Sequence, residues 1–117
     1  MWVFTRDGFF AVVFKACQRD EIMIKAKSKA DLLALLQRVG DDSPVHEITE
    51  SDYRFYVILK KRLWSQYLTE YLESLDYESV RDHIVSPADT ARHQAYQTVW
   101  TTMYNWMGRE SRTGIDS

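Results

Sequence analysis

The sequence contains very little cysteine or glycine and no long apolar run. Cys17 is the one cysteine among 117 residues, which excludes an internal disulfide framework and leaves too few thiols for a zinc ribbon. The four glycines are scattered, so the chain has no glycine-rich phosphate loop. No apolar run approaches the ~18 residues of a membrane-spanning helix, and the first residues lack the pattern of a secretory signal. These absences predict a cytoplasmic protein without a membrane segment.

An excess of charge of one sign is also missing. The chain has 15 Lys and Arg against 17 Asp and Glu, a formal net charge of −2, and neither half is basic. Nucleic acid is therefore not expected as a partner. Two local basic clusters, at 25–29 and 60–62, are interpreted as a solvated strand end and a helix start. A phosphate-binding edge would require the two clusters to be adjacent, with aromatic residues beside them.

What the chain does have is apolar and aromatic material, 45% and 14% of its residues, which is enough for a packed core. The stretches Trp2–Thr5 and Phe9–Phe14 have the β-branched and aromatic composition of strands. Asp7-Gly8 between them is either a hairpin turn or, as the shortness of the first stretch favours, a bulge at Gly8 in one bent strand. A second strand is predicted over Glu21–Lys27, antiparallel to the first.

From Ser28 onward, apolar residues at helical spacing predict three helices and a short helical segment. Ser28 is a predicted N-cap and Gly40 a left-handed stop for a helix with the apolar positions Leu32, Leu33, Leu35, Leu36 and Val39. After a strand over Tyr53–Leu59, a second helix carries the stripe Leu63, Trp64, Tyr67, Leu68, Tyr71, Leu72 and Leu75. A short helical segment is expected at 77–85. A start signal at 86–89 then opens a long third helix that runs to about Met107 and ends at Gly108.

These elements predict an α+β fold. The expected architecture is a small antiparallel sheet of about three to four strands, in the order ββαβαα, with the helices packed on one face. A single domain over residues 1–108 and a frayed polar tail over 109–117 complete the prediction.

Residue patterns that carry catalysis are sparse. No Ser lies in a nucleophile elbow, and Cys17 has no His near it in the sequence. His83 and His93 lack the spacing of metal ligands, so neither a metal nor another cofactor is expected. An enzyme would rest on the set Asp76, Tyr77, Arg92 and His93 alone.

The third helix carries more apolar surface than one sheet face should cover. Trp106 widens its main stripe, and a helix that is apolar over so much of its circumference is often buried a second time, against a partner. Trp, Tyr and Met are also enriched at interface cores. We therefore expect a non-catalytic interaction or regulatory protein that binds a protein partner or forms a homodimer through Trp100, Met103, Tyr104, Trp106 and Met107.

An alternative function is the binding of a small anionic, nucleotide-like ligand. Arg54 lies on a predicted strand beside Tyr53, and Arg92 lies one helical turn before Tyr96. Each guanidinium is suited to an anionic group if it is not used locally. The alternative requires the two arginines to face one concavity lined by Tyr53, Arg54, Asp76, Tyr77, Arg92 and Tyr96.

Several of these positions fall in short motifs: Phe4-Thr5-x-x-Gly8-Phe9-Phe10, Tyr53-Arg54, Asp76-Tyr77 and Arg92-x-x-x-Tyr96-x-x-Val99-Trp100. Together the motifs resemble those of a family of small bacterial proteins, over most of residues 2–107. The resemblance implies a bacterial or phage origin and a shared fold. It implies no function, because that family has no established activity. It singles out the motif residues without giving them a role.

Overall fold

The computed structural model describes residues 1–14, 18–75 and 90–113, and for 109–113 it describes the backbone alone. The chain divides into two units, Met1–Asp76 and Tyr77–Ser117. Within the described residues, the first unit holds a five-stranded antiparallel sheet and two helices, and the second holds one long helix. The α+β class is confirmed, and the single domain over 1–108 stays a prediction.

The sheet has the strand order β1-β2-β3-β5-β4. Its strands are β1 (Trp2–Phe4), β2 (Phe9–Val13), β3 (Glu21–Ala26), β4 (His46–Glu47) and β5 (Phe55–Lys60), and the helices are α1 (Lys29–Val39), α2 (Lys61–Ser74) and α3 (Thr90–Thr113). The sheet thus has five strands instead of three to four. One of the additional strands is β4, which is missed from the sequence because two residues are too few to show alternation.

The other additional strand comes from the turn between β1 and β2. These strands pair antiparallel, with Val3 opposite Phe10, so the interpretation of Gly8 as a bulge is wrong. Thr5 and Gly8 exchange backbone hydrogen bonds of 2.9 and 3.3 Å around a two-residue loop. Gly8 is needed there for space, since a Cβ on it would lie 2.6 Å from Cβ of the buried Asp31.

One face of the sheet forms the core with α1 and α2. The register places Val12, Ile24 and Val57 side by side on three neighbouring strands, and all three are buried. Strand alternation therefore puts Ile24 of β3 and Val57 of β5 on this face, and the paired Met23 and Ile58 on the other. The helical residues in this cluster are Leu32, Leu35, Leu36, Trp64 and Tyr67.

The helix ends agree with the sequence in part. Gly40 ends α1 in the left-handed conformation, with φ of 67°, as predicted. Ser28 occupies the N-cap position, although its side chain makes no capping hydrogen bond. Leu33, placed on the apolar stripe, is 50% exposed because it lies at the edge of the buried face.

The predicted end of the third helix at Gly108 is wrong, because α3 continues to Thr113. Glycine permits a left-handed stop without imposing one, and in a helix interior it costs only about 1 kcal/mol relative to alanine. The Arg and Glu that follow it are good helix formers. Cys17, the segment 77–85 and the start signal at 86–89 lie outside the described residues.

Candidate functional site

The α3 helix exposes an aromatic and apolar face. Six side chains form this face, and their exposed fractions range from 39% at Val99 to 58% at Tyr104. We call the set the aromatic face of α3: Val99, Trp100, Met103, Tyr104, Trp106 and Met107. At 100° per residue the set covers about 160° of the helix circumference. The rings of Trp100 and Tyr104 stack with centroids 5.0 Å apart, so two of its largest members hold each other in place.

The stretch around this face carries no charge. From Gln94 to Gly108 the sequence has no Lys, Arg, Asp or Glu, and Thr98, Thr101 and Thr102 share the remaining surface with Gln and Asn. Threonine and aromatic residues are weak helix formers, so a helix of this composition gains its stability from burial more than from intrinsic propensity. The composition thus favours a buried apolar face, and the structure leaves that face half exposed.

The first unit holds Tyr53 and Arg54, two of the predicted ligand-binding residues. The Arg54 guanidinium pairs with Glu47, with Nε and Nη2 each 2.6 Å from Oε2. It also lies 5.5 Å from the ring centroid of Phe55. Arg54 is therefore engaged by a strand neighbour, while Tyr53 lies beside Phe9 on the sheet surface, with ring centroids 6.1 Å apart.

Arg92 and Tyr96 lie in the second unit and contact each other. Arg92 Nη1 donates to Tyr96 Oη at 3.2 Å, and its guanidinium lies 5.9 Å from the Tyr96 ring centroid. This is the one-turn neighbour pair that the sequence spacing indicates. Asp76 and Tyr77 lie outside the described residues, so the common concavity for both arginines stays a prediction.

Sequence reasoning missed a polar cluster under the β1–β2 turn. Tyr67 Oη donates to Asp7 Oδ2 at 2.8 Å, and this uses its one hydrogen. The Thr5 hydroxyl, 2.7 Å away, must then be the donor to Tyr67. Arg38 donates from Nε and Nη2 to the other Asp7 oxygen at 3.3 and 3.2 Å. The Asp7 side chain is only 8% exposed, so these bonds satisfy a nearly buried carboxylate.

Burial raises the pKa of the Tyr67 phenol well above its ordinary value, and the neighbouring Asp7 carboxylate raises it further, against the lowering effect of the Thr5 hydroxyl. The phenol therefore stays protonated and keeps donating. One turn later, Tyr71 Oη accepts from the backbone N–H of Arg6 at 3.1 Å. The result is that two tyrosines of α2 and one arginine of α1 hold the hairpin turn.

A concavity of about 270 Å³ opens beside this cluster. Its charged lining is balanced, with two arginines against two carboxylates, and the Asp7–Arg38 pair is already formed. We interpret the cluster as structural, because its polar groups satisfy one another. The lining residues are Arg6, Asp7, Arg38, Tyr67, Glu70, Tyr71 and Ser74.

The sheet face opposite the core carries a second group of aromatic residues. The register aligns Trp2, Ala11, Lys25, Tyr56 and His46 in one row across all five strands. At the β1 end of this row, Phe9 contacts three rings: Phe4 stacked at 4.4 Å, Trp2 edge-on at 6.2 Å and Tyr53 at 6.1 Å. We call Trp2, Phe4, Phe9 and Tyr53 the sheet aromatic cluster.

The Lys25 ammonium lies 5.2 Å from the Tyr53 ring centroid, next to this cluster. At the other end of the row, the rings of His46 and Tyr56 stack with centroids 4.9 Å apart. The basic cluster at 25–29 therefore has aromatic residues beside it. It is not adjacent to the cluster at 60–62, because the register pairs Lys60 with Glu21 at the opposite end of β3. The two basic clusters therefore do not form one phosphate-binding edge.

Comparisons of the chain with models of protein families, with curated proteins and with solved structures find no match. The resemblance to small bacterial proteins therefore stays an expectation. Among the described residues, no group of three or more His, Cys, Asp or Glu side chains is placed to hold a metal ion. In the same part of the chain, none of the helices combines the length and apolarity needed to cross a membrane.

Proposed function

We propose that the protein is a non-catalytic interaction protein that self-associates through the aromatic face of α3. The observation that carries this proposal is the half-exposed state of all six members of that face. Isolated exposed apolar residues are ordinary on protein surfaces, but a contiguous set that includes two Trp is typical of an interaction surface.

The size of the face supports a partner. Phe, Tyr and Trp side chains bury about 150–250 Å² each, so the three aromatic members of the face at half exposure present roughly 300 Å². Val99, Met103 and Met107 add to this area. A specific interface of standard size buries about 800 Å² on each partner. The aromatic face of α3 thus supplies a substantial part of the area that one side of a stable dimer needs.

The absence of charge favours a second copy of the chain as the occupant. Two identical faces meet across a two-fold axis, so a charge close to that axis would lie near its own copy. From Gln94 to Gly108 there is none, and self-pairing therefore meets no like-charge repulsion along the face. The Trp100–Tyr104 stack also lowers the entropy cost of association, because these rings are already ordered.

Sedimentation equilibrium over 1–100 µM protein tests the proposal. The wild-type chain is expected to dimerise within this range. Trp106→Asp places a charge at a position that is exposed in the single chain and would be desolvated in the dimer. It should weaken the dimer at least about 30-fold, the effect of an interface hot spot of 2 kcal/mol. Circular dichroism should show the same helix content for the variant.

The matched control is Leu33→Asp, which changes a residue of α1 with similar exposure, 50% against 55% for Trp106. It should leave the dimer unchanged. A wild-type chain that stays monomeric at 100 µM contradicts the proposal. So does an equal loss of association in the two variants.

A further inference from the structure

The sheet face opposite the core combines aromatic rings with one lysine, Lys25, that has no carboxylate beside it among the described residues. Arg38, Arg54 and Lys60 each have a carboxylate within 4 Å. Within the part of the chain that the structure describes, Lys25, Lys27 and Lys29 have none. Lys25 lies on this face, beside Tyr53 of the sheet aromatic cluster, and Lys27 and Lys29 follow it in the sequence.

Lys60, in the second basic cluster, has different surroundings from Lys25. Lys60 lies 2.9 Å from Asp20 and 3.7 Å from Glu21, and the hydrogen bond from Lys60 lowers the pKa of Asp20 below its ordinary value. Lys60 is therefore paired locally, whereas among the described residues neither Lys61 nor Arg62 has a carboxylate within 4 Å. Lys25 instead approaches the π face of Tyr53, a contact that leaves its ammonium hydrogens available to an anion.

The rings form a continuous path. Ring-to-ring steps of 6.2 and 6.1 Å lead from Trp2 through Phe9 to Tyr53, and Lys25 follows 5.2 Å further. Trp2, at 72% exposed, presents most of its surface to solvent. A sheet that displays aromatic rings with cations beside them suits unpaired bases, which stack on the rings, and a phosphate backbone, which lies along the cations.

We propose that this face binds single-stranded nucleic acid, with Trp2 and Tyr53 stacking on bases and Lys25 contacting a phosphate. The overall charge of −2 argues against binding driven by the charge of the whole molecule, and duplex DNA is bound largely in that way. Local stacking on the sheet does not need a basic protein. The inference uses a surface other than the aromatic face of α3 and does not depend on self-association.

Fluorescence anisotropy with a labelled 15-nucleotide strand of mixed sequence tests the proposal. DNA and RNA strands are titrated separately at several salt concentrations, and the matching duplex is titrated in parallel. Binding of the single strand with a Kd in the micromolar range is expected, with the duplex at least about tenfold weaker. A preference between the two strands identifies the sugar that the face accepts.

Four variants separate stacking from charge and from a folding defect. Trp2→Ala and Tyr53→Ala should each weaken binding about fivefold or more, which is the lower end for loss of one stacked base. Lys25→Gln should reduce the slope of log K against log salt by about 0.7, the value for one phosphate contact on a single strand. Tyr53→Phe keeps the ring and should bind like the wild-type chain, which separates stacking from any folding defect.

Matched controls come from the same unit. Phe14→Ala removes an exposed aromatic outside the cluster, at 62% against 72% for Trp2, and Lys61→Gln removes a cation of the other basic cluster. Both should bind the strand as the wild-type chain does. Absence of binding up to 100 µM overturns the proposal, as does equal affinity for the duplex, or losses in the two controls as large as those of Trp2→Ala and Lys25→Gln.

Discussion

The substitution Tyr67→Phe should destabilise the protein by about 2–4 kcal/mol. The phenol of Tyr67 donates to Asp7 at 2.8 Å and accepts from Thr5 at 2.7 Å, and removing it breaks both bonds. A hydrogen bond to a charged group contributes about 1.5–3 kcal/mol and a neutral one about 0.5–1.5 kcal/mol. The Asp7 carboxylate is only 8% exposed, so water cannot easily replace the lost donor.

Urea denaturation followed by circular dichroism measures this change as a shift in the midpoint at unchanged slope. Tyr71→Phe is the matched control, because Tyr71 lies one turn further along α2 and makes one exposed bond, from the Arg6 N–H. It should cost no more than about 0.5 kcal/mol. Equal effects of the two substitutions would refute the network, since only one of the phenols serves a nearly buried carboxylate.

The same phenol gives a pH dependence. Its pKa is raised in the folded protein above the ordinary value of 10.0, mainly by burial. A raised folded pKa means that the protonated phenol stabilises the fold fully below pH 10, and that this contribution is lost as the pH rises above that value. Urea midpoints measured between pH 8 and pH 11 should therefore fall more steeply for the wild-type chain than for Tyr67→Phe. Parallel curves would contradict the assignment.

Two glycines should respond to alanine for different reasons. At Gly8 a Cβ would overlap the Asp31 side chain, so Gly8→Ala should lower the free energy of unfolding by about 1–3 kcal/mol through overpacking. An unchanged melting temperature would show that Asp31 moves freely.

At Gly40 a Cβ meets nothing within 4 Å, so Gly40→Ala should cost only the backbone strain of φ at 67°, about 1–2 kcal/mol. A variant with a raised melting temperature would contradict the left-handed cap.

Periodic patterns predicted the fold because they are local. Alternation in β3 and the stripe of α1 both follow from which side chains face one buried surface, and a single window of sequence contains that information. The β1–β2 turn was interpreted wrongly because a hairpin and a bulge have the same local pattern. Pairing of Val3 with Phe10 decides between them, and that pairing is tertiary.

The candidate sites also differ in whether a local pattern or tertiary packing determines them. Exposure of Trp106 follows from a stripe that can be read along one helix. The Asp7–Tyr67 bond joins residues 60 positions apart, and the approach of Lys25 to Tyr53 depends on strands that are not consecutive in the chain. No local signal marks either contact, because each arises from the order in which strands and helices pack.

The most direct test of self-association is an isotope-filtered NOE experiment on a mixture of labelled and unlabelled chains. Self-association through the aromatic face of α3 should give intermolecular NOEs from the methyl groups of Met103 and Met107 in one protomer to the rings of Trp100, Tyr104 and Trp106 in its partner. NOEs between protomers that involve other surfaces and none of these methyl groups would contradict it.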